Sequence, residues 1–169
     1  MNATINLEKH FPVLLNELVS IISPLYGGTF IDCTFGDGGY SERILNETSN
    51  NIIALDRDIS VKAKAQKFEE KYKKRFKFKN IKFSDINKIS SNDIKAIIFD
   101  LGYSLNQISD LNRGLSFKSK GKLDMRMGLN DFSCNEVVLK MSQQNLYKIF
   151  KYFGDEKFAK PISLSLIHI

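Results

Sequence analysis

FIDCTFGDGGYS, at residues 30–41, is the stretch that decides how the rest of the chain is organised. It begins as a β-branched and aromatic run, continues into a turn with three glycines, and is followed by a predicted helix. Such a turn can adopt positive φ and lets a ligand approach the backbone closely. A strand, turn and helix in this order commonly hold a nucleotide-like cofactor at the carboxyl end of a parallel sheet. An ordinary tight turn between strand and helix is the alternative interpretation.

The composition is that of a globular chain of ordinary domain size. Its 169 residues are 43% hydrophobic and 26% charged, which argues against a disordered chain. The sequence shows neither an apolar run of the roughly 18 residues that span a bilayer nor a signal-peptide layout, so no membrane association is predicted. Cys33 and Cys134 lie far apart without metal-ligand spacing, which predicts no metal site and a reduced, cytoplasmic setting. The net charge of +6 modestly favours a polyanionic partner.

Strand and helix patterns alternate along most of the chain. A helix is predicted over 10–23, with Pro12 in its first turn and Pro24 after its end. Ser133 and Glu136 have capping-box spacing and introduce a later helix. Residues 103–127 lack a period and predict a long loop. The alternation predicts a doubly wound α/β sheet. The remaining predicted elements are helices over 41–48, 59–72, 136–141 and 142–153 and strands over 52–55, 76–83 and 94–102.

Three side chains follow predicted strands at the edge where a cofactor would bind. Asp56 ends the second strand, about 20 residues past the first glycine, where a carboxylate can accept hydrogen bonds from both hydroxyls of a ribose. Its neighbour Asp58 is better suited to cap the next helix. Asp100 ends the fourth strand, which is predicted to be buried, and can hold a cofactor, receive a substrate proton or simply cap a turn. Phe83 ends the third strand and is interpreted either as a stacking partner for the cofactor's base or as core.

Basic residues are concentrated on the predicted helix 59–72 and just after it. A solvated outer face is the favoured interpretation, and a surface that tracks phosphates is the alternative. The residues are Lys62, Lys64, Lys67, Lys71, Lys73, Lys74 and Arg75.

Two cofactor classes compete for the glycine turn. A nicotinamide site requires the pattern G-x-G-x-x-G, and the last glycine of that pattern is absent here because Ser41 occupies its position. The pattern G-x-G-G after an acidic strand residue, here Asp32, is more typical of S-adenosylmethionine enzymes.

Several separated motifs occur in a fixed order along the chain. HFPVLL at 10–15, DCTFGDGGYS at 32–41 and DRD at 56–58 are followed by DLGYS at 100–104 with Gln107. Next come RGLSF at 113–117, LDMRM at 123–127 and GDEKFAK at 154–160. In this order the motifs resemble those of the ribosomal RNA small-subunit methyltransferase H family, also called MraW. The resemblance runs from near residue 10 to residue 160.

The resemblance implies a Rossmann-like class I S-adenosylmethionine-dependent methyltransferase fold. It also implies methylation of N4 of a cytidine in 16S ribosomal RNA, within the small ribosomal subunit. Tyr40 stands where the family usually has His, and Leu105 where it has a second Ser, so only backbone contacts carry over at these two positions. Matched by position, the implied S-adenosylmethionine contacts are Gly38, Gly39, Tyr40, Asp56, Phe83, Asp100 and Gln107.

The implied reaction needs an acceptor for the proton, or at least for the hydrogen bond, of the cytosine amine. Asp100 and Ser104 are the predicted catalytic residues. The basic residues of the loop are predicted to contact RNA phosphates, with a solvated loop as the alternative. These residues are Arg113, Lys118, Lys120, Lys122 and Arg126.

Three parts are predicted along the chain. Residues 1–105 form the first half of a cofactor-binding core, and residues 106–163 form a loop and the start of an inserted helical domain. Residues 164–169 are interpreted as translated sequencing adapter, with a genuine apolar helix end as the alternative. Because family members are considerably longer, the sheet is expected to be incomplete and its fourth strand to lie at an unprotected edge.

Three functions remain open from the sequence. The first is an rRNA cytosine-N4 methyltransferase, and the second is a fragment that binds cofactor or RNA without turnover. The third, which the missing glycine disfavours, is a nicotinamide-dependent oxidoreductase. The oligomeric state is not set by any pattern in the sequence.

Overall fold

The computed structural model of the protein describes residues 12–22 and 27–168. They form two compact units. The first contains the described residues up to Leu105 together with Met127–Leu129, and the second contains Asn106–Arg126 and the residues from Asn130 onward. The helices and strands, in chain order, are α1 Leu15–Ile21, β1 Thr29–Asp32, α2 Gly39–Glu47, β2 Asn51–Leu55, α3 Lys62–Tyr72, β3 Phe76–Lys79, β4 Ile94–Ile98, α4 Leu105–Ser109, α5 Cys134–Lys140, α6 Gln143–Tyr152 and α7 Ala159–Ile167.

Four parallel strands of the first unit form one sheet in the order β3-β2-β1-β4. Strand β1 pairs with β2 on one side and with β4 on the other. Because the chain order changes direction between β1 and β4, their carboxyl ends flank a topological switch point, where sheets of this kind bind ligands. This topology confirms the predicted Rossmann-like α/β fold.

One face of the sheet packs against α1, α2 and α3. The buried cluster on this face includes Phe30, Phe76 and Ile44. Phe35, from the glycine bend, inserts among Phe68 and Phe76 with ring centroids 5.2 Å and 5.5 Å away. The aromatic core therefore anchors the bend to α3 and β3.

The opposite face carries a smaller cluster. Ile31 and Leu55 from the strands pack there with Ile89, and Ile81 and Ile86 lie against them. The segment that covers this face includes a 3-10 helix at Phe83–Lys88.

Several predicted helix starts are wrong. The described part of the first helix begins at Leu15 rather than near residue 10, because Leu14 adopts left-handed backbone with φ 52°. His10 and Pro24, which bounded the prediction, lie outside the described residues. Helix α2 begins at Gly39, two residues earlier than predicted. Asp58 does cap the next helix, which opens as a short 3-10 turn where its side chain accepts a hydrogen bond from the amide of Ser60.

The third and fourth strands are shorter than predicted. Strand β3 ends at Lys79, so Phe83 follows it on a 3-10 helix and is exposed rather than core. Strand β4 ends at Ile98 and is not a buried strand, since the side chains of Ile94 and Ile97 are 40% and 47% exposed. Within the part of the chain that the structure describes, β4 lies at the sheet edge, as expected for an incomplete sheet.

The predicted loop over 103–127 and the later helices also differ from expectation. The loop contains the short helix α4 and a 3-10 turn at Leu111–Arg113. Helix α5 has the predicted capping box, in which Ser133 and Glu136 bond reciprocally. Helix α7 includes residues 164–167, whose assignment to an adapter stays a prediction. None of the described helices combines the length and apolar character that crossing a bilayer requires.

Candidate functional site

The glycine bend is fixed between the two strands that flank β1. The amide of Cys33 donates to the carbonyl of Ile98 (2.9 Å), and the amide of Phe35 donates to the carbonyl of Leu55 (3.0 Å). The bend therefore bridges the carboxyl ends of β4 and β2.

Gly38 and Gly39 are required by the shape of the bend. Gly38 has φ 76°, and a Cβ there would lie 2.7 Å from the ring of Phe68 and 2.8 Å from that of Phe35. A Cβ on Gly39 would collide with the ring of Pro12. Because both residues are glycines, the backbone at the start of α2 can lie directly against the rings of Phe35, Phe68 and Pro12.

Asp32 lies fully buried at the end of β1. Its carboxyl group accepts hydrogen bonds from the Ser41 hydroxyl (2.6 Å) and from the amide of Thr34 (3.2 Å). Burial raises the pKa of Asp32 from 3.8 to about 6 in spite of these bonds, and the negative charges of Asp56 and Asp100 raise it further. Asp56 and Asp100 thus lie close enough to Asp32 to affect its pKa.

Asp56 connects the tip of β2 to the bend. Its Oδ2 accepts a hydrogen bond from the amide of Gly36, and its Oδ1 accepts one from the amide of Asp58, both at 2.8 Å. The pKa of Asp56 is raised chiefly by burial. A carboxylate offers about four acceptor positions, so this half-buried side chain retains capacity for a hydroxyl donor.

Asp100 connects the tip of β4 to the same bend. Its amide donates a 2.8 Å hydrogen bond to the hydroxyl of Thr34, two residues before Gly36. The carboxylates of Asp56 and Asp100 therefore belong to one edge of the sheet. No grouping of three His, Cys, Asp or Glu side chains suited to a metal ion occurs in residues 12–22 and 27–168.

Tyr40 lies beside Asp100, with its ring buried. Its hydroxyl donates to the carbonyl of Val13 at 2.7 Å. Burial raises the pKa of Tyr40, and the charges of Asp100 and Asp32 raise it further. The phenol thus joins the bend to the segment before α1, while the backbone of Tyr40 forms the first turn of α2.

Two aromatic rings extend this edge of the sheet. Phe83 and Phe99 meet edge to face with centroids 5.6 Å apart, and they are 40% and 49% exposed. Ser104 follows Asp100 on the same connection and is half-buried. Exposed aromatic surface next to a carboxylate suits a ligand that has both a base and a ribose.

The remaining predicted site residues belong to the second unit, where Gln107 lies on α4. Arg113 pairs with Asp110 at 3.3 Å. Arg126 holds both oxygens of Asp124 at 2.8 Å, and these hydrogen bonds lower the pKa of Asp124 to about 2. Lys118, Lys120 and Lys122 are exposed, so their ammonium groups are better placed for phosphate than the two paired guanidinium groups.

The basic run around α3 includes residues that stabilise the fold. Lys64 pairs with Asp37 at 3.1 Å, and Lys71 pairs with Glu42 at 3.2 Å. Arg75 donates to the carbonyls of Leu45 and Thr48, which lie at the end of α2. Arg75 is therefore a structural residue, not part of a solvated face.

Sequence reasoning missed Thr34, Phe35 and Ser41. Thr34 accepts the hydrogen bond from the Asp100 amide, and Phe35 packs in the aromatic core. Ser41 donates to the carboxyl group of Asp32. The spacing of Asp32 and Thr34 is a signal for a local side-chain to backbone bond. No short-range pattern pairs Asp32 with Ser41, because the two residues lie on opposite sides of the turn.

Residues 7–168 match the sequence model of the MraW methylase family. The chain belongs to this family. It is 37% identical over 162 residues to the ribosomal RNA small subunit methyltransferase H of Rickettsia akari (strain Hartford), with 95% of this chain and 53% of that protein covered. It is 39% identical over 160 residues to the protein of the same name from Orientia tsutsugamushi (strain Boryong), with 94% and 51% covered.

A third relative of the same name matches over a similar length. The protein of the same name from Bartonella quintana (strain Toulouse) is 36% identical over 156 residues, with 92% of this chain and 47% of that protein covered. The chain thus spans about half the length of the curated relatives it matches.

Proposed function

We propose that the chain binds S-adenosylmethionine at the glycine bend and belongs to an enzyme that methylates N4 of a cytidine in 16S ribosomal RNA. The observation that carries the proposal is the convergence of two acids on the bend. Asp56 bonds to the amide of Gly36, and the amide of Asp100 bonds to the hydroxyl of Thr34. Family membership and the names of the relatives support the same proposal.

The residues at this edge fit the parts of the cofactor. Asp56 retains acceptor capacity for a ribose hydroxyl, and the exposed ring of Phe83 can stack on adenine. The amino end of α2 follows the bend directly and favours a carboxylate, such as that of a methionine moiety. Gln107 is the further cofactor contact that the family resemblance implies.

The chemistry requires a weak nucleophile to be placed accurately. When bound, S-adenosylmethionine supplies an electrophilic methyl group on a sulfonium. The exocyclic amine of cytosine is a poor nucleophile, because its lone pair is delocalised into the ring. The enzyme must therefore hold the amine in line with the methyl group and exclude water.

Asp100 and Ser104 act on the proton of the amine in this proposal. As nitrogen bonds to the methyl carbon, the carbon–sulfur electron pair leaves with sulfur, and the amine must lose one proton. Asp100 is exposed at the start of the connection after β4 and can accept that proton or its hydrogen bond. Ser104, on the same connection, supplies a hydroxyl group as a second acceptor.

The RNA must present the cytidine outside its stack, since the methylated nitrogen has to reach the pocket. The basic residues of the second unit then bind phosphates of the RNA. The exposed lysines at 118, 120 and 122 are the strongest candidates for this role. Their contribution is electrostatic and independent of sequence.

Calorimetry with S-adenosylmethionine and a methylation assay on small-subunit particles test the proposal together. Asp56→Asn should weaken cofactor binding by about tenfold, the cost of a lost hydrogen bond to a charged group. Asp100→Ala should lower turnover at saturating S-adenosylmethionine by about a hundredfold or more, beyond any loss of cofactor affinity that calorimetry records. Asp93→Asn is the matched control, because Asp93 lies at the opposite end of β4 and pairs with Lys95. Undiminished turnover in Asp100→Ala would remove this residue from the mechanism.

The second candidate function is binding of cofactor or RNA without turnover. The chain spans about half the length of its relatives, and groups that those relatives use for methyl transfer can lie outside the matched half. Cofactor binding without methylation of small-subunit particles would support this candidate. Binding of NADH in place of S-adenosylmethionine would contradict both candidates and favour an oxidoreductase.

A further inference from the structure

A short segment from the far side of the loop packs against the tip of β2. We call Met127–Leu129 the strap; it belongs to the first unit although the residues on either side of it belong to the second. The amide of Leu129 donates to the carbonyl of Arg57 at 3.0 Å, and Nη2 of Arg57 donates back to the carbonyl of Leu129 at 3.4 Å. The strap thus binds Arg57, the residue after Asp56, through both its backbone carbonyl and its side chain.

Gly128 allows this contact because it has no side chain. Its φ is +116°, and a Cβ there would collide with the carbonyl of Arg57 and lie 2.8 Å from the Cα of Asp58. Both of these atoms are backbone, so no side-chain rotation can relieve the clash. Any residue other than glycine must move either the strap or the turn at 56–58.

The turn at 56–58 is also held by Asn80 and by the glycine bend. Asn80 donates to the carbonyl of Asp56 at 2.8 Å, and the Asp56 carboxylate bonds to the amides of Gly36 and Asp58. Asn80 follows the end of β3, Gly36 lies in the glycine bend, and Asp58 belongs to the turn itself. The strap supplies the remaining constraint, from a segment 72 residues away in the chain.

We infer that the strap is a positioning element for the cofactor, and that Gly128 sets the orientation of the Asp56 carboxylate toward the ribose. This inference rests on the proposed function, because it assigns the strap to the same cofactor site. Gly128 touches neither the cofactor nor the reacting atoms. It acts through Arg57 and Asp58, whose backbone fixes the position of Asp56.

The test is calorimetry on the full chain with two probes, S-adenosylhomocysteine and its 2′-deoxyadenosyl analogue. Gly128→Ala should bind S-adenosylhomocysteine about tenfold more weakly, because the carboxylate no longer meets the ribose hydroxyls. The penalty for removing the 2′-hydroxyl, measured as the ratio of the two dissociation constants, should shrink toward one in the variant. Gly121→Ala is the control, since nothing lies within 4 Å of a Cβ at that position.

Several outcomes would overturn the inference. Equal affinities of Gly128→Ala and the unsubstituted chain would do so, and so would an equal weakening of both probes, which indicates general damage rather than a misplaced carboxylate. If Gly128→Ala does not fold, Arg57→Met decides, because methionine has no donor for the Leu129 carbonyl, and it should shrink the same ratio. Failure of the unsubstituted chain to bind either probe would instead overturn the proposed function, and the inference with it.

Discussion

The hydroxyl of Ser41 donates a 2.6 Å hydrogen bond to Oδ2 of Asp32, a carboxyl group that is fully buried. Asp32 ends β1 and Ser41 lies in the first turn of α2, so this bond closes the glycine bend at its base. Because both side chains are buried, water cannot replace either partner.

Ser41→Ala should destabilise the protein. The substitution leaves a buried carboxyl oxygen without its donor, which costs about 1–3 kcal/mol. Urea unfolding at pH 8 measures the loss of stability. Ser20→Ala is the control and should change stability by less than about 0.5 kcal/mol, because the Ser20 hydroxyl is exposed to water. Equal stability of the Ser41 variant and the wild type would contradict the structural role of the bond.

Asp32→Asn should change how stability depends on pH. The pKa of Asp32 is raised from 3.8 to about 6 in the folded state, chiefly by burial. The folded protein therefore retains a proton that the unfolded chain releases, and the stability present below pH 3.8 is lost as pH rises to about 6. The loss amounts to about 3 kcal/mol and should be absent from the variant.

Urea unfolding of both proteins from pH 4 to pH 8 checks this prediction. The difference in stability between wild type and Asp32→Asn isolates this group from the other titrating side chains. That difference should grow in favour of the variant up to about pH 6 and then stay constant. A difference that does not change with pH would show that Asp32 titrates normally.

Phe83→Ala should weaken binding of S-adenosylhomocysteine. The exposed ring is the predicted stacking partner for adenine, and such stacking contributes about 1–3 kcal/mol per base. Calorimetry should show a loss of about tenfold in affinity. Phe132→Ala is the control, because Phe132 is also exposed but lies in the second unit. Retention of full affinity would remove Phe83 from the cofactor site.

Replacing Lys118, Lys120 and Lys122 together by Ala should weaken RNA binding. Each phosphate contact that is lost should reduce the slope of log K against log salt by about 0.7–0.9. Binding of a 16S rRNA fragment over a range of salt concentrations measures that slope. A triple substitution at Lys62, Lys67 and Lys74, which are exposed around α3, removes the same charge from another surface. An equal effect of the two triple variants would indicate that only net charge matters.

The sequence predicted the positions of the acids better than the elements around them. Asp56 and Asp100 follow apolar β-branched strands, and the carboxyl ends of parallel strands meet at one edge whatever their exact length. Asp58 and Ser133 were also predictable as helix caps, because capping depends on residues only two or three positions apart. The sequence predicts that the third strand runs to Phe83, yet the partner strand β2 ends at Leu55 and leaves nothing to pair beyond Lys79.

The amino-acid sequence by itself determined the strand–bend–helix unit, because glycine and β-branched residues restrict the backbone locally. It also determined family membership, since the motifs occur in a fixed order. Only the tertiary structure decided that the hydroxyl of Ser41 bonds to the buried carboxyl group of Asp32 and that Gly128 packs against Arg57. These relationships join residues distant in sequence, and they depend on how closely two backbones approach, which no local preference encodes.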